Sequence, residues 1–239
     1  MEANDYGLFF KTILWLARLL TPKYEKSNVK DLKMYEDPVV YISHHHNLLG
    51  AIRILPWLDR FVRVWAYGNF YDQKTCYQHY IDYTFTKRFG WPLFIAKPVA
   101  YLASYVVSVG MKSARVIPVY RQSRQIVKTL KATVETLRQG QAILIFPDID
   151  YKSDQAQVGE IYEGFLNLEK YYYRNTGRHL NFIPLYANED YQMIFQGRPV
   201  KFSSDLSFIE QRSIKASEIA DALNHLADLT PQDQRVVNG

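Results

Sequence analysis

Cysteine is almost absent: Cys76 is the only one in 239 residues, so no intrachain disulfide can form and no C-x-x-C pair exists. That usage fits a reducing compartment. There is no zinc-finger spacing, no RNP-like or basic-zipper pattern and no block of like charge, which argues against nucleic acid as a partner. Internal repeats, low-complexity linkers and breaks in composition are missing as well, so one domain is expected. The N-terminus opens on the acidic "MEAND" rather than a positive run, so no secretory signal is expected.

Long uninterrupted apolar runs are also scarce. The segment 6–20, "YGLFFKTILWLARLL", carries Lys11 and Arg18, and as a helix it rises only about 22 Å, short of a bilayer core. Its apolar bulk and Trp15 suit a helix lying in a membrane interface, or one packed on the domain. The segment 93–111 approaches spanning length, yet Pro98 and the small or polar Ser104, Ser108 and Gly110 favour a buried or membrane-dipping helix.

What is present is a basic, aromatic-rich chain. Lys and Arg number 29 against 24 Asp and Glu, a net charge of +5 compatible with an anionic membrane or a phosphorylated substrate. Hydrophobic residues make up 48%, enough for a core, and 19 Tyr supply rings with polar tips that suit interfaces.

Short β-branched or apolar runs alternate with helical patterns. Strands are expected at "PVVYIS" (38–43), 61–70, "ARVIPVY" (114–120), 142–147 and 180–187, with a strand–turn–strand over 191–202. Helices are expected at 48–60, 74–88, 93–111, 121–140, 158–175 and 217–229. Among these, Ile126, Val127, Leu130, Val134 and Leu137 share one face of a helix that Gly140 is placed to stop. The expected fold is α/β: a single domain with a mixed, mostly parallel sheet flanked by helices, preceded by an interfacial helix. The boundaries are 1–34 for the N-terminal helix and its connection and 35–239 for the α/β domain.

Polar clusters mark the strand ends, where open α/β sheets bind ligands. They are "HHHNLLG" (44–50), "IPVYR" (117–121), "FPDID" (146–150) and "FIPLYA" (182–187). A metal would need convergent ligands, for which His44 and His46 with Asp148 or Asp150 are the available set. The plainer alternatives are that His45 serves only as a turn hydrogen-bonder, that Arg121 pairs with an aspartate and that Asp148 and Asp150 cap a turn.

In this order and spacing the four blocks resemble the glycerophosphate/lysophospholipid acyltransferase superfamily, over residues 39–202, including the later "GFLNL" and "QGRPVKF". The family's blocks are N-H-x-x-x-x-D, a strand ending in an arginine, F-P-E-G-T-R and an apolar strand with a central proline. The resemblance implies acyl transfer from acyl-CoA or acyl carrier protein to a hydroxyl of a glycerol-phosphate or lipid acceptor, with no further cofactor and no metal. It makes His45 the catalytic base and Arg121 the anchor for the acceptor's anion. Asn47, Asp150 and Tyr151 become supporting acceptor-binding residues. It also implies a cytoplasmic protein, peripheral on a membrane lipid surface.

One residue departs from the pattern. Gly50 stands where the family has the aspartate that orients the imidazole, and Leu49 and Ala51 occupy the alternative registers. The third block has Asp148 for glutamate and Tyr151 for arginine. Another carboxylate is therefore expected to replace the missing aspartate beside His45: Asp148 first, with Asp150 and the more distant Glu160 and Glu163 as alternatives. A catalytically inactive relative that binds lipid or acyl carrier is the alternative.

Overall fold

The structure, a computed structural model, describes residues 5–47, 49–120, 124–150 and 152–232. Within them run β1 (Glu25–Ser27), β2 (Val39–Ser43), β3 (Val62–Tyr67), β4 (Ile117–Val119), β5 (Ala142–Ile145), β6 (Asn181–Asn188) and β7 (Met193–Gln196). The helices are α1 (Leu8–Leu20), α2 (Leu49–Ile54), α3 (Gln73–His79), α4 (Leu93–Ser113), α5 (Ile126–Arg138), α6 (Asn167–Thr176) and α7 (Phe208–Asp228). This is the α/β, mostly parallel, mixed architecture expected from the sequence; β6 and β7 run antiparallel.

The chain forms two compact units. The larger comprises Leu14–Val62 and Thr133–Gly239, and its strands lie in the order β1-β7-β6-β2-β5. β2 pairs in parallel with β5 on one side and β6 on the other, and every residue of the three is buried. Burial on both faces explains why these strands read as continuous apolar runs rather than alternating ones. Tyr41 is enclosed on β2, where Arg60 donates to its hydroxyl at 2.7 Å and burial pushes that hydroxyl up to about 12. α7 lays Ile219, Leu223 and Leu226 inward, Leu226 against Tyr186 and Phe195.

The smaller unit comprises Met1–Ile13 and Arg63–Ala132. β3 and β4 pair in parallel there, and α3 continues as a π-helical stretch, Tyr80–Arg88, before α4. α4 inverts the usual amphipathic pattern. Its buried stripe is small, with Ala96, Ala100, Ser104 and Ser108 at four-residue spacing, while Phe94 and Leu102 are 77% and 65% exposed. By length and composition it is the one described helix able to cross a membrane.

Three sequence expectations are corrected. Helix 158–175 begins only at Asn167, because residues 158–162 turn back to pair with 147–149: Ile149 donates to the Glu160 carbonyl at 3.1 Å and Tyr162 to that of Pro147 at 2.8 Å. α7 begins at Phe208 rather than 217, since Ser207 and Glu210 form a reciprocal capping box. The segment 48–60 is helical only through Ile54.

Candidate active site

Strand register brings the site together. Ile42 of β2 stands opposite Ile145 of β5, so the residues just past the two parallel strands, His44 and Asp148, emerge side by side. Side chains sink progressively less along the turn: His44 is 4% exposed, His45 and His46 are half-buried, and Asn47 faces solvent.

Asp148 uses both carboxylate oxygens here. Oδ1 meets His44 Nδ1, and Oδ2 accepts the main-chain N–H of His45 at 2.8 Å. His44 Nε2 lies 3.0 Å from the Gln155 carbonyl. Burial pulls the imidazole's affinity for a proton down, but the hydrogen bond and charge of Asp148, with the Gln155 carbonyl, outweigh it and hold the His44 pKa above the ordinary value. An acceptor stands at each ring nitrogen, an arrangement that favours the doubly protonated ring over the neutral one.

His46 is the opposite case. Arg53 Nη1 donates to its Nδ1 at 2.9 Å, leaving Nε2–H for the Asp154 carbonyl at 3.2 Å. Burial, then the charges of Arg53 and His44, hold its pKa below the ordinary value. Arg53 is itself buried and reaches Glu189 at 2.6 Å. The His46, His44 and Tyr186 rings stack in sequence, with centroids 5.5 and 6.3 Å apart. The turn is strained, since both His46 and Asn47 have positive φ, 42° and 50°. Ring hydrogen bonds of His46 and a 2.6 Å bond from Asn47 Nδ2 to Asp154 hold it.

Gly50 is explained by the same turn. Its N–H donates to the His45 carbonyl at 2.9 Å, and a Cβ added there would sit 2.2 Å from the His44 carbonyl oxygen. No side chain fits at this backbone, so an aspartate at this spacing is excluded sterically.

Asp148 thus takes up an orienting position, but toward a different imidazole from the one the sequence suggested. Its partner ring is His44, and His45 contributes its amide while its ring leans on Phe146, centroids 5.1 Å apart. The pairing of Asp148 with the His45 imidazole is corrected accordingly. Asn47 joins the cluster through Asp154. Asp150 is exposed and caps its own turn, accepting the Lys152 N–H at 3.1 Å. Arg121 and Tyr151 lie outside the described residues. Among the described residues no group of three or more His, Cys, Asp or Glu side chains is placed to hold a metal ion.

Sequence reasoning missed the partners Arg53, Asp154, Gln155, Tyr186 and Glu189. The signal for His44 was available: it is the first residue past a strand buried on both faces, and so the deepest of the three histidines.

The fold is similar to that of a solved glycerophosphate acyltransferase. The 1-acyl-sn-glycerophosphate (LPA) acyltransferase PlsC from Thermotoga maritima superposes with a TM-score of 0.52 at 13% identity, over 92% of this chain and 80% of that one. At that identity the likeness concerns the fold. No family model matches the sequence, and no curated protein does.

Proposed function

We propose that this chain is an O-acyltransferase whose base is His44, oriented by Asp148. It moves an acyl group from acyl-CoA or acyl carrier protein to a hydroxyl of a glycerol-phosphate or lipid acceptor, with no other cofactor. The observation that carries the reading is the buried His44–Asp148 pair at the strand ends of an acyltransferase fold. Asp148 fixes Nδ1–H; in the neutral form of the ring, reached when Nε2 gives its proton to solvent as Gln155 withdraws its carbonyl, Nε2 is free to take the acceptor's proton. The acceptor oxygen then attacks the thioester carbonyl, and the thiol leaves with the proton from His44.

Asn47 and Asp150, exposed at the rim, are proposed to contact the acceptor. Arg121 and Tyr151 receive acceptor-binding roles from the family resemblance alone. The large exposed side chains of α4 support peripheral seating on a lipid surface, and the resemblance supports its cytoplasmic side. The test is transfer of a labelled acyl group from both donors to a panel of lysolipid and glycolipid acceptors; transfer from either donor supports the reading.

A second reading is favoured by one specific contact, the Gln155 carbonyl closing Nε2. In it the chain is an inactive relative that binds lipid or acyl carrier without transfer. Acyl-lipid binding with no transfer across the panel supports this reading instead.

A further inference from the structure

At the other end of the same strands, where β6 begins and away from His44, a second histidine stands between a carboxylate and a hydroxyl. We propose that Ser204, His179 and Glu169 form a serine-nucleophile triad that cleaves small carboxylic esters. His179 Nε2 lies 2.9 Å from Ser204 Oγ, and its Nδ1 lies 2.7 Å from Glu169 Oε1. Glu169 is 2% exposed, and its other oxygen accepts the Leu180 N–H at 3.0 Å, which fixes the carboxylate. The Tyr173 ring stacks on His179 with centroids 4.5 Å apart, which fixes the imidazole plane. Ser204 is exposed in a turn, open to a reactant. Base and orienter thus have the roles and distances that nucleophilic catalysis requires, on a fold unrelated to the familiar hydrolases.

A cavity of about 490 Å³ opens at the same end, within the range of small-ligand sites. Tyr35, Asp37, Arg138, Tyr172, Thr176 and Arg178 contribute to its wall. It neighbours the triad: Arg178 precedes His179 in the chain, and the Asp37 charge acts on Glu169. Arg178 is neutralised by Asp37, whereas Arg138 has no ion-pair partner among the described residues and is placed to hold an anionic group of the ester.

In the first step Ser204 Oγ bonds to the ester carbonyl carbon as its proton passes to His179 Nε2. The carbon–oxygen bond to the alcohol then breaks, and the alcohol departs with that proton. Water attacks the acyl-serine by the reverse route, releasing the carboxylic acid and restoring Ser204.

The full chain treated with a fluorophosphonate probe, with the adduct mapped by mass spectrometry, tests this directly alongside hydrolysis of 4-nitrophenyl butyrate. A single adduct on Ser204 is expected. Ser204→Ala, at an exposed position, should abolish adduct and hydrolysis, and His179→Ala should slow labelling by about 10²-fold or more. A folded wild type that takes no adduct at Ser204, or Ser204→Ala hydrolysing the ester at the wild-type rate, overturns the proposal. The trio is then a latch between α6, β6 and the turn at 204.

Discussion

Two neighbouring histidines in this site carry opposite charge preferences, and each preference has a separate cause. Asp148 and the Gln155 carbonyl outweigh burial to favour the protonated form of His44, while burial and the Arg53 charge disfavour it at His46. Nitrogen-15 NMR should show His44 titrating above about pH 6.5 and His46 below it. The stability signs follow. The raised His44 value contributes stability that is complete below about pH 6.5 and lost as pH rises through the folded value. The lowered His46 value costs stability as pH falls below about 6.5, where the unfolded chain takes up the proton first. Gly50 gives the second prediction at this scale. Restoring the family aspartate with Gly50→Asp should not raise acyl transfer, because its Cβ meets the His44 carbonyl at 2.2 Å. It should destabilise the fold by about 2 kcal/mol or more, read by denaturant unfolding.

Among the elements, the loop over His44 matters most. α7 grips it: the Val158 N–H donates to Asn224 Oδ1 at 2.6 Å, and Asn224 Nδ2 returns a bond to the Val158 carbonyl at 3.2 Å. Gln157 adds a bond to Asp228 at 2.6 Å. Asn224→Ala removes two of these bonds, at a cost of about 1–2 kcal/mol. Amide hydrogen exchange at 152–158 should quicken, and if Gln155 must withdraw for chemistry, the transfer rate should rise. Unchanged exchange would show that α7 does not hold the loop. The strands of this fold were legible because β2, β5 and β6 are buried on both faces and leave unbroken apolar runs. The site was legible to the level of its strand ends, where Asp148 lies just past β5. Which imidazole it meets was not, because that depends on the left-handed His46–Asn47 turn and on a loop 111 residues away in sequence. α7 starts at Phe208 rather than at the expected 217 because the Ser207–Glu210 box caps it there.

For the molecule as a whole, the question is where its apolar surface goes. α4 hides alanines and serines and exposes Phe94, Tyr101, Leu102 and Tyr105, an arrangement that suits a lipid-facing helix better than a water-facing one. A net charge of +5 adds attraction to an anionic surface. Phe94→Glu with Leu102→Glu should lower sedimentation with anionic vesicles by about tenfold and leave the circular dichroism unchanged, since neither side chain is part of the buried stripe. Retained vesicle binding would remove α4 from the membrane contact.

The proposed acyl transfer rests on one ring. The measurement that tests it most directly is the rate of acyl transfer in His44→Ala beside His45→Ala, both checked for folding. A His44 base predicts loss of about 10²-fold or more in the first and a rate within a few-fold of wild type in the second. Transfer that survives His44→Ala and vanishes in His45→Ala would contradict the account and return the chemistry to the second histidine of the run.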